Sequence, residues 1–153
     1  MIWGDVAYKK STFYSPDYWR EYFKPWVAAM TKVAHENGLD VIYHGCGNVA
    51  AILPDYIEMG IEAINPLEAK AGLDAVELRK QYGHRLGIAG NSDITVWETG
   101  DDERVREEVL RKLNAAKGGG YIFMSDHSVT GGVPPQTYDY IVDLVREYGQ
   151  YPL

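Results

Sequence analysis

The sequence holds a single cysteine, Cys46, among its 153 residues. One thiol cannot close an intramolecular disulfide, so the fold has to rest on burial, as expected in a reducing compartment. No stretch of about eighteen consecutive apolar residues occurs, which leaves no candidate membrane-spanning helix. The opening Met1-Ile-Trp-Gly-Asp5 has neither the basic nor the apolar region of a secretory leader. Positive charge is scarce: 15 Lys and Arg against 22 Asp and Glu leave a net charge of −7, and the basic residues are scattered. That argues against a nucleic-acid-binding face. No Gly-x-Gly-x-x-Gly opens a helix and no Walker loop is present; Gly118-Gly-Gly120 leads into an apolar run instead. These absences point to a soluble cytoplasmic protein, one domain over 1–153, acting on a small molecule without membrane or nucleic acid.

What the chain does contain is centred on Val41-Ile-Tyr-His-Gly-Cys-Gly-Asn48, an apolar strand that runs into a glycine-flanked turn. His44 and Cys46 lie two residues apart at the carboxyl end of that strand. The spacing lets an imidazole nitrogen and a thiolate converge on one point, and Gly45 and Gly47 let the backbone bend around it. The same pattern also suits a buried thiol beside a hydrogen-bonded strand-end histidine.

Around this turn a pattern repeats. Ile2–Ala7 reads as a strand, and Ser15-Pro16-Asp17 starts a helix that runs to Asn37, stops at Gly38 and bends at Pro25. Trp19, Tyr22, Phe23, Trp26, Val27, Met30 and Val33 recur on it at helical spacing, a stripe expected to pack against the sheet. Strand Asp40–Tyr43 precedes helix Val49–Met59, strand Ala63–Leu67 precedes helix Asp74–Tyr82, and strand Leu86–Ala89 precedes helix Asp102–Ala116. Strand Tyr121–Met124 and helix Pro135–Tyr148 complete five β/α units. Glycine closes each helix, and the short, continuously apolar strands are those of a parallel sheet covered on both faces.

Five such units fit either an open doubly wound sheet or part of a (β/α)8 barrel. Asp5, His44, Cys46, Asn65, Glu68, Asn91, Asp93, Asp126 and His127 all fall at or just past strand carboxyl ends. An open sheet concentrates functional groups at one or two switch points, whereas here every strand contributes, as around a barrel mouth. The fold class expected is therefore α/β, a partial (β/α)8 TIM barrel.

At this level of detail the chain resembles the carboxyl-terminal portion of the uroporphyrinogen decarboxylase superfamily, which includes zinc- and corrinoid-dependent methyltransferases. The resembling segments are Trp3-Gly-Asp5, Ser15-Pro16 with Tyr22-Phe-Lys-Pro25, and His44-Gly-Cys-Gly-Asn48. Leu53-Pro-Asp55, Ile64-Asn-Pro66, Gly90-Asn-Ser-Asp93, Gly119-Gly-Tyr-Ile-Phe123 and His127 ahead of Val133-Pro-Pro135 follow in order. The resemblance implies that the five units are strands four to eight of the barrel. It also implies that the chain is a fragment lacking the first three units. Two copies would bring ten strands, so its open sheet edges call for another segment, chain or rearrangement.

In the methyltransferase branch, a His-x-Cys turn and a third ligand after the last strand hold zinc, which activates a thiol acceptor against a corrinoid-bound methyl group. His44 and Cys46 match the first two ligands, and His127 stands where that branch usually has a cysteine. A His/Cys/His set with an open fourth position suits a catalytic zinc. Glu68 is then a further ligand or a base, and the corrinoid would arrive on a partner protein. In the decarboxylase branch no metal is used, and a histidine matching His127 also lies at the pocket. Asp5, Asn91 and Asp93 are candidates for substrate contact, with loop entry and an Asx turn with helix capping as the structural alternatives. The readings are thus a methyltransferase-like enzyme, a tetrapyrrole decarboxylase, or an inactive fragment or assembly module.

Overall fold

The computed structural model describes residues 1–151. All five expected units are present. The strands are β1 Ile2–Trp3, β2 Ile42–His44, β3 Ala63–Asn65, β4 Gly87–Ala89 and β5 Tyr121–Ile122. They form one sheet in the order β1-β2-β3-β4-β5. Every pair is parallel, and Trp3, His44 and Asn65 stand side by side in register. A parallel bridge between Ser92 and Ser125 keeps the β4–β5 register three residues beyond its last pair, Ala89 with Ile122. The helices are α1 Pro16–Tyr22, α2 Lys24–Glu36, α3 Leu53–Glu58, α4 Ala75–Tyr82, α5 Ile94–Trp97, α6 Asp102–Ala115 and α7 Pro135–Tyr148. An unclosed run of parallel β/α units with the carboxyl ends along one rim is part of a (β/α)8 barrel.

Several boundaries differ from expectation, each for a local reason. The strands are shorter because the chain leaves the ladder early to form the rim; Ala7 instead bridges antiparallel to Thr12. Pro25 does more than bend the first helix. It has no amide to offer, so the backbone breaks at Phe23 (φ −111°) and restarts as α2. Pro54 has the same effect further on, where the turn Ala50–Ile52 precedes α3. The short helix α5 was not anticipated; Asp93 caps it by accepting from Thr95 N at 2.9 Å.

The core has two parts. One surrounds β1 to β4 and includes Trp19, Tyr43, Ile52, Tyr56, Ile64 and Leu78. The other lies between α5, α6 and α7 and includes Trp97, Val105, Val109, Ile141 and Leu144. Phe123 packs against both. Of the aromatic stripe, Trp19 is buried edge-on to Tyr56 with ring centroids 5.7 Å apart, and Val27 is buried. Trp26, Met30 and Val33 face outward instead, with Trp26 71% exposed, so only part of the stripe packs on the sheet. Asp55 of α3, 4% exposed, fixes the helices to one another by accepting from Lys24 Nζ at 2.9 Å and Arg20 Nη2 at 3.1 Å.

Candidate functional site

The rim at the strand carboxyl ends encloses a cavity of ≈ 450 Å³ lined by residues including Trp3, Asp5, His44, Cys46, Asn65 and His127. The donors come from four strand ends, with His44 closing β2 and Cys46 in the turn that follows it. The turn after β2 carries Cys46, and Gly47 takes a positive φ of 82° there. A Cβ at Gly47 would sit 2.6 Å from the carbonyl carbon of Ala7, so only glycine lets this turn close against the loop after β1. That closeness brings Asp5 to the turn, where its Oδ1 accepts from Cys46 N at 2.9 Å.

His44 is oriented from behind. Its Nδ1 lies 2.6 Å from Asn65 Oδ1, while Asn65 Nδ2 donates to Ala89 O at 3.1 Å. Because the Asn65 amide nitrogen is committed to that carbonyl, its oxygen faces the ring and accepts the Nδ1 proton. His44 Nε2 is thereby left as a lone pair 3.9 Å from Cys46 Sγ. A ring fixed by a hydrogen bond through one nitrogen with the other free is the usual arrangement of a metal-ligating histidine.

Potential ligand atoms of Asp5, His44 and Cys46 lie within 4.8 Å of one another, as do those of Cys46, Glu68 and His127. Cys46 belongs to both groups. His44, Cys46 and His127 therefore do not gather as one trio; Cys46 joins a His44 side to a His127 side, and Glu68 and Asp5 complete the two halves. Glu68 is 9% exposed, whereas His127 is on the surface. The Cys46 thiol is pushed up to about 12, chiefly by burial and then by the negative charge of Asp5 and Glu68. A thiolate is unfavourable in such surroundings until a cation arrives, and for the same reason the surroundings favour a cation. This donor set of sulfur, imidazole and carboxylate fits a zinc ion.

Asn91 and Asp93 occupy different positions from those expected of substrate contacts. Asn91 is fully buried, and its amide bonds Leu67 O, Leu73 O, Ala75 N and Lys112 Nζ at 2.6–2.9 Å. Asp93 is taken up by capping α5. Both therefore hold the rim together and do not line the cavity. Asn65 and Asp126 do more than their place in the sequence suggested, since the partners that reveal it come from other strands. No helix of the described residues is long and apolar enough to cross a membrane.

Fold and site together define a parallel β/α barrel segment with a cluster of soft and hard metal donors at its mouth. A model of the uroporphyrinogen decarboxylase (URO-D) family matches residues 4–148, and the chain belongs to that family. Among curated proteins it is similar to the uroporphyrinogen decarboxylase of Actinobacillus pleuropneumoniae serotype 5b, at 32% identity over 79 residues. That match covers 51% of this chain and 22% of the relative. The uroporphyrinogen decarboxylase of Pelodictyon phaeoclathratiforme is 26% identical over 141 residues, covering 87% of this chain and 38% of the relative. Among solved structures, a methyltransferase from Methanosarcina mazei superimposes with a TM-score of 0.74 at 23% identity. It covers 97% of this chain and 42% of that one, a likeness of fold. The chain thus spans less than half the length of these relatives.

Proposed function

We propose that this chain supplies the metal-binding half of a methyl-transferring active site, similar to zinc-dependent corrinoid:thiol methyltransferases. The observation that carries the reading is the convergence on Cys46 of His44 and Asp5 from one side and Glu68 and His127 from the other. Zinc held there would supply a Lewis acid that lowers the pKa of a bound thiol. The chain's own residues do the rest. His44, locked by Asn65, presents Nε2, and Cys46 provides the thiolate sulfur. Glu68 serves as a further ligand or as the base that takes the acceptor's proton, and Asp5 holds the Cys46 turn in place. The substrate is a small thiol, and the methyl donor a corrinoid carried by a partner protein. Residues outside this sequence, or a partner, would pair with the open edges of β1 and β5 and close the pocket.

The test is elemental analysis and zinc titration of purified, untagged protein. About one zinc per chain is expected, falling to a small fraction in Cys46→Ala and His44→Ala. Protein that neither retains nor takes up zinc refutes the reading. A second reading, decarboxylation of a tetrapyrrole, is favoured by the names of the curated relatives. It would require His127 and Asp5 to bind substrate without metal and would leave Cys46 dispensable.

A further inference from the structure

Asp126 immediately precedes His127, yet its own side chain is fully buried beneath the cavity rim. A buried carboxylate is costly unless its oxygens are satisfied. Here Oδ2 accepts from Ala69 N at 3.0 Å and Oδ1 from Ile94 N at 3.0 Å. Its own backbone N–H donates to Ser92 O at 2.8 Å. One residue thus joins three rim loops: the one carrying Glu68, the one after β4, and the one carrying His127. Ser125 adds a shorter tie within the last of these, with Oγ donating to His127 O at 2.5 Å.

The contact to Ala69 matters most, because Ala69 follows Glu68 directly. Glu68 and His127 arrive from loops nearly sixty residues apart in sequence, and the Glu68 loop is otherwise tied through its own turn, through Asn91, and through Asn48, whose Nδ2 donates to Ala71 O at 2.9 Å; none of these reaches the His127 loop. We propose that Asp126 is the positioning residue of the donor cluster: by accepting from Ala69 N it locks Glu68 and His127 at the spacing that lets both reach the same ion as Cys46. Such supporting groups typically change metal affinity 10–100-fold when removed. This inference rests on the metal-site reading above and deepens it.

Two substitutions isolate the tie. In Asp126→Asn an amide N–H₂ replaces one oxygen and faces a backbone donor, so one of the two loops is released. Ala69→Pro removes the N–H that Asp126 accepts and puts the ring Cδ in its place, which pushes the carboxylate off the Glu68 loop. Ala69 is the first residue of a short turn, a position that suits proline, and Glu68 before it is extended (ψ 116°), as a residue preceding proline should be. Leu144→Ala, in the core between α6 and α7, serves as a control that weakens the fold far from the rim.

Zinc affinity is measured by competition with a chromogenic chelator, at a temperature where circular dichroism shows each protein folded, and Co²⁺ spectra report the ligand set. Both rim variants are expected to bind zinc about 10–100-fold more weakly. Their Co²⁺ spectra should shift from a four-coordinate toward a higher-coordinate form, while thiolate-to-cobalt absorption from Cys46 persists. Leu144→Ala should lower Tm and leave affinity and spectrum unchanged. Wild-type affinity in both rim variants, or an equal loss in Leu144→Ala, overturns the positioning role alone. Absence of zinc binding by the wild type overturns the metal reading and this inference with it.

Discussion

Asn91 offers the sharpest separation between a residue that touches substrate and one that holds the rim. Its side chain is fully buried with a left-handed backbone (φ 71°). Alanine there leaves two carbonyls, Leu67 O and Leu73 O, the Ala75 amide and the Lys112 ammonium without their present partner. Each buried group left unsatisfied costs about 1–3 kcal/mol before relaxation. Alanine at positive φ adds about 1–2 kcal/mol. Allowing for adjustment, Asn91→Ala should lose about 4–7 kcal/mol, comparable with the whole stability of many domains. Lys112→Met disturbs the same network differently. Asn91 Oδ1 keeps Ala75 N, Asp74 keeps Arg111 at 2.6 Å, and Glu108 keeps the Asp93 amide at 2.9 Å. Every acceptor keeps a partner, and Asp74 and Glu108 lose one cation but keep Arg111, so the cost should be about 3 kcal/mol at most. Urea denaturation of the two variants beside the wild type measures the difference. Equal losses, or Asn91→Ala within about 1.5 kcal/mol of the wild type, a loss too small for its orphaned partners, refutes the reasoning. A stable Asn91→Ala that has lost ligand binding would restore Asn91 as a substrate contact.

The remaining expectations concern charge. Burial alone would raise the Asp55 carboxyl, but Arg20 and Lys24 outweigh it and hold it below the ordinary aspartate value. Its stabilisation is therefore present above that value and lost as pH falls through the lowered one. Asp55→Ala should cost about 2–3 kcal/mol at pH 7, less than a fully buried pair because both cations are partly exposed. Chemical denaturation at pH 7 and near pH 2 should show the gap between wild type and variant closing in acid; a gap independent of pH counts against the ion-pair account. At the cavity, the Cys46 thiol keeps its proton well above neutrality, so a zinc ion binding there would have to displace it. Apparent zinc affinity should then rise about tenfold per pH unit between roughly pH 7 and 9. The slope should vanish in Cys46→Ala, and a flat profile in the wild type would show that the thiol is not a ligand.

Much of this architecture was legible because the sequence signals were local. Apolar runs bounded by glycine at Gly60, Gly83 and Gly149 marked strands and helices, and the residue types at strand ends marked the rim. The His44-x-Cys46 turn was recognisable for the same reason: two donors and two glycines lie within one short stretch. What could not be read depended on partners distant in sequence. Asp126 looks like any loop aspartate until it meets Ala69, 57 residues away, and Asn65 like any strand-end amide until Ala89 fixes which way it faces. The breaks at Phe23 and Ile52 turned on whether packing would bridge a missing proline amide, and here it does not. Outward-facing Trp26, Met30 and Val33 show the limit of periodicity, which groups residues on a face without saying that anything covers it.

Cys46 also bears on the choice between the two chemistries. A cysteine that works as a free nucleophile needs positive neighbours to lower its pKa; Cys46 has Asp5 and Glu68, which raise it. Its surroundings suit a ligand that would give up its proton to a cation. The alternative substrate, one that sheds carboxylates, would bring negative charge to the same place. The described residues lining the cavity include Asp5 and no lysine or arginine, so on their own they would repel such a substrate. Decarboxylation would therefore need its cationic contacts from residues outside this sequence, whereas a divalent metal would find donors already grouped on either side of Cys46. Adding zinc should raise the affinity of the pocket for a small thiol and should do nothing for Cys46→Ala, which ties the charge argument to a measurable outcome.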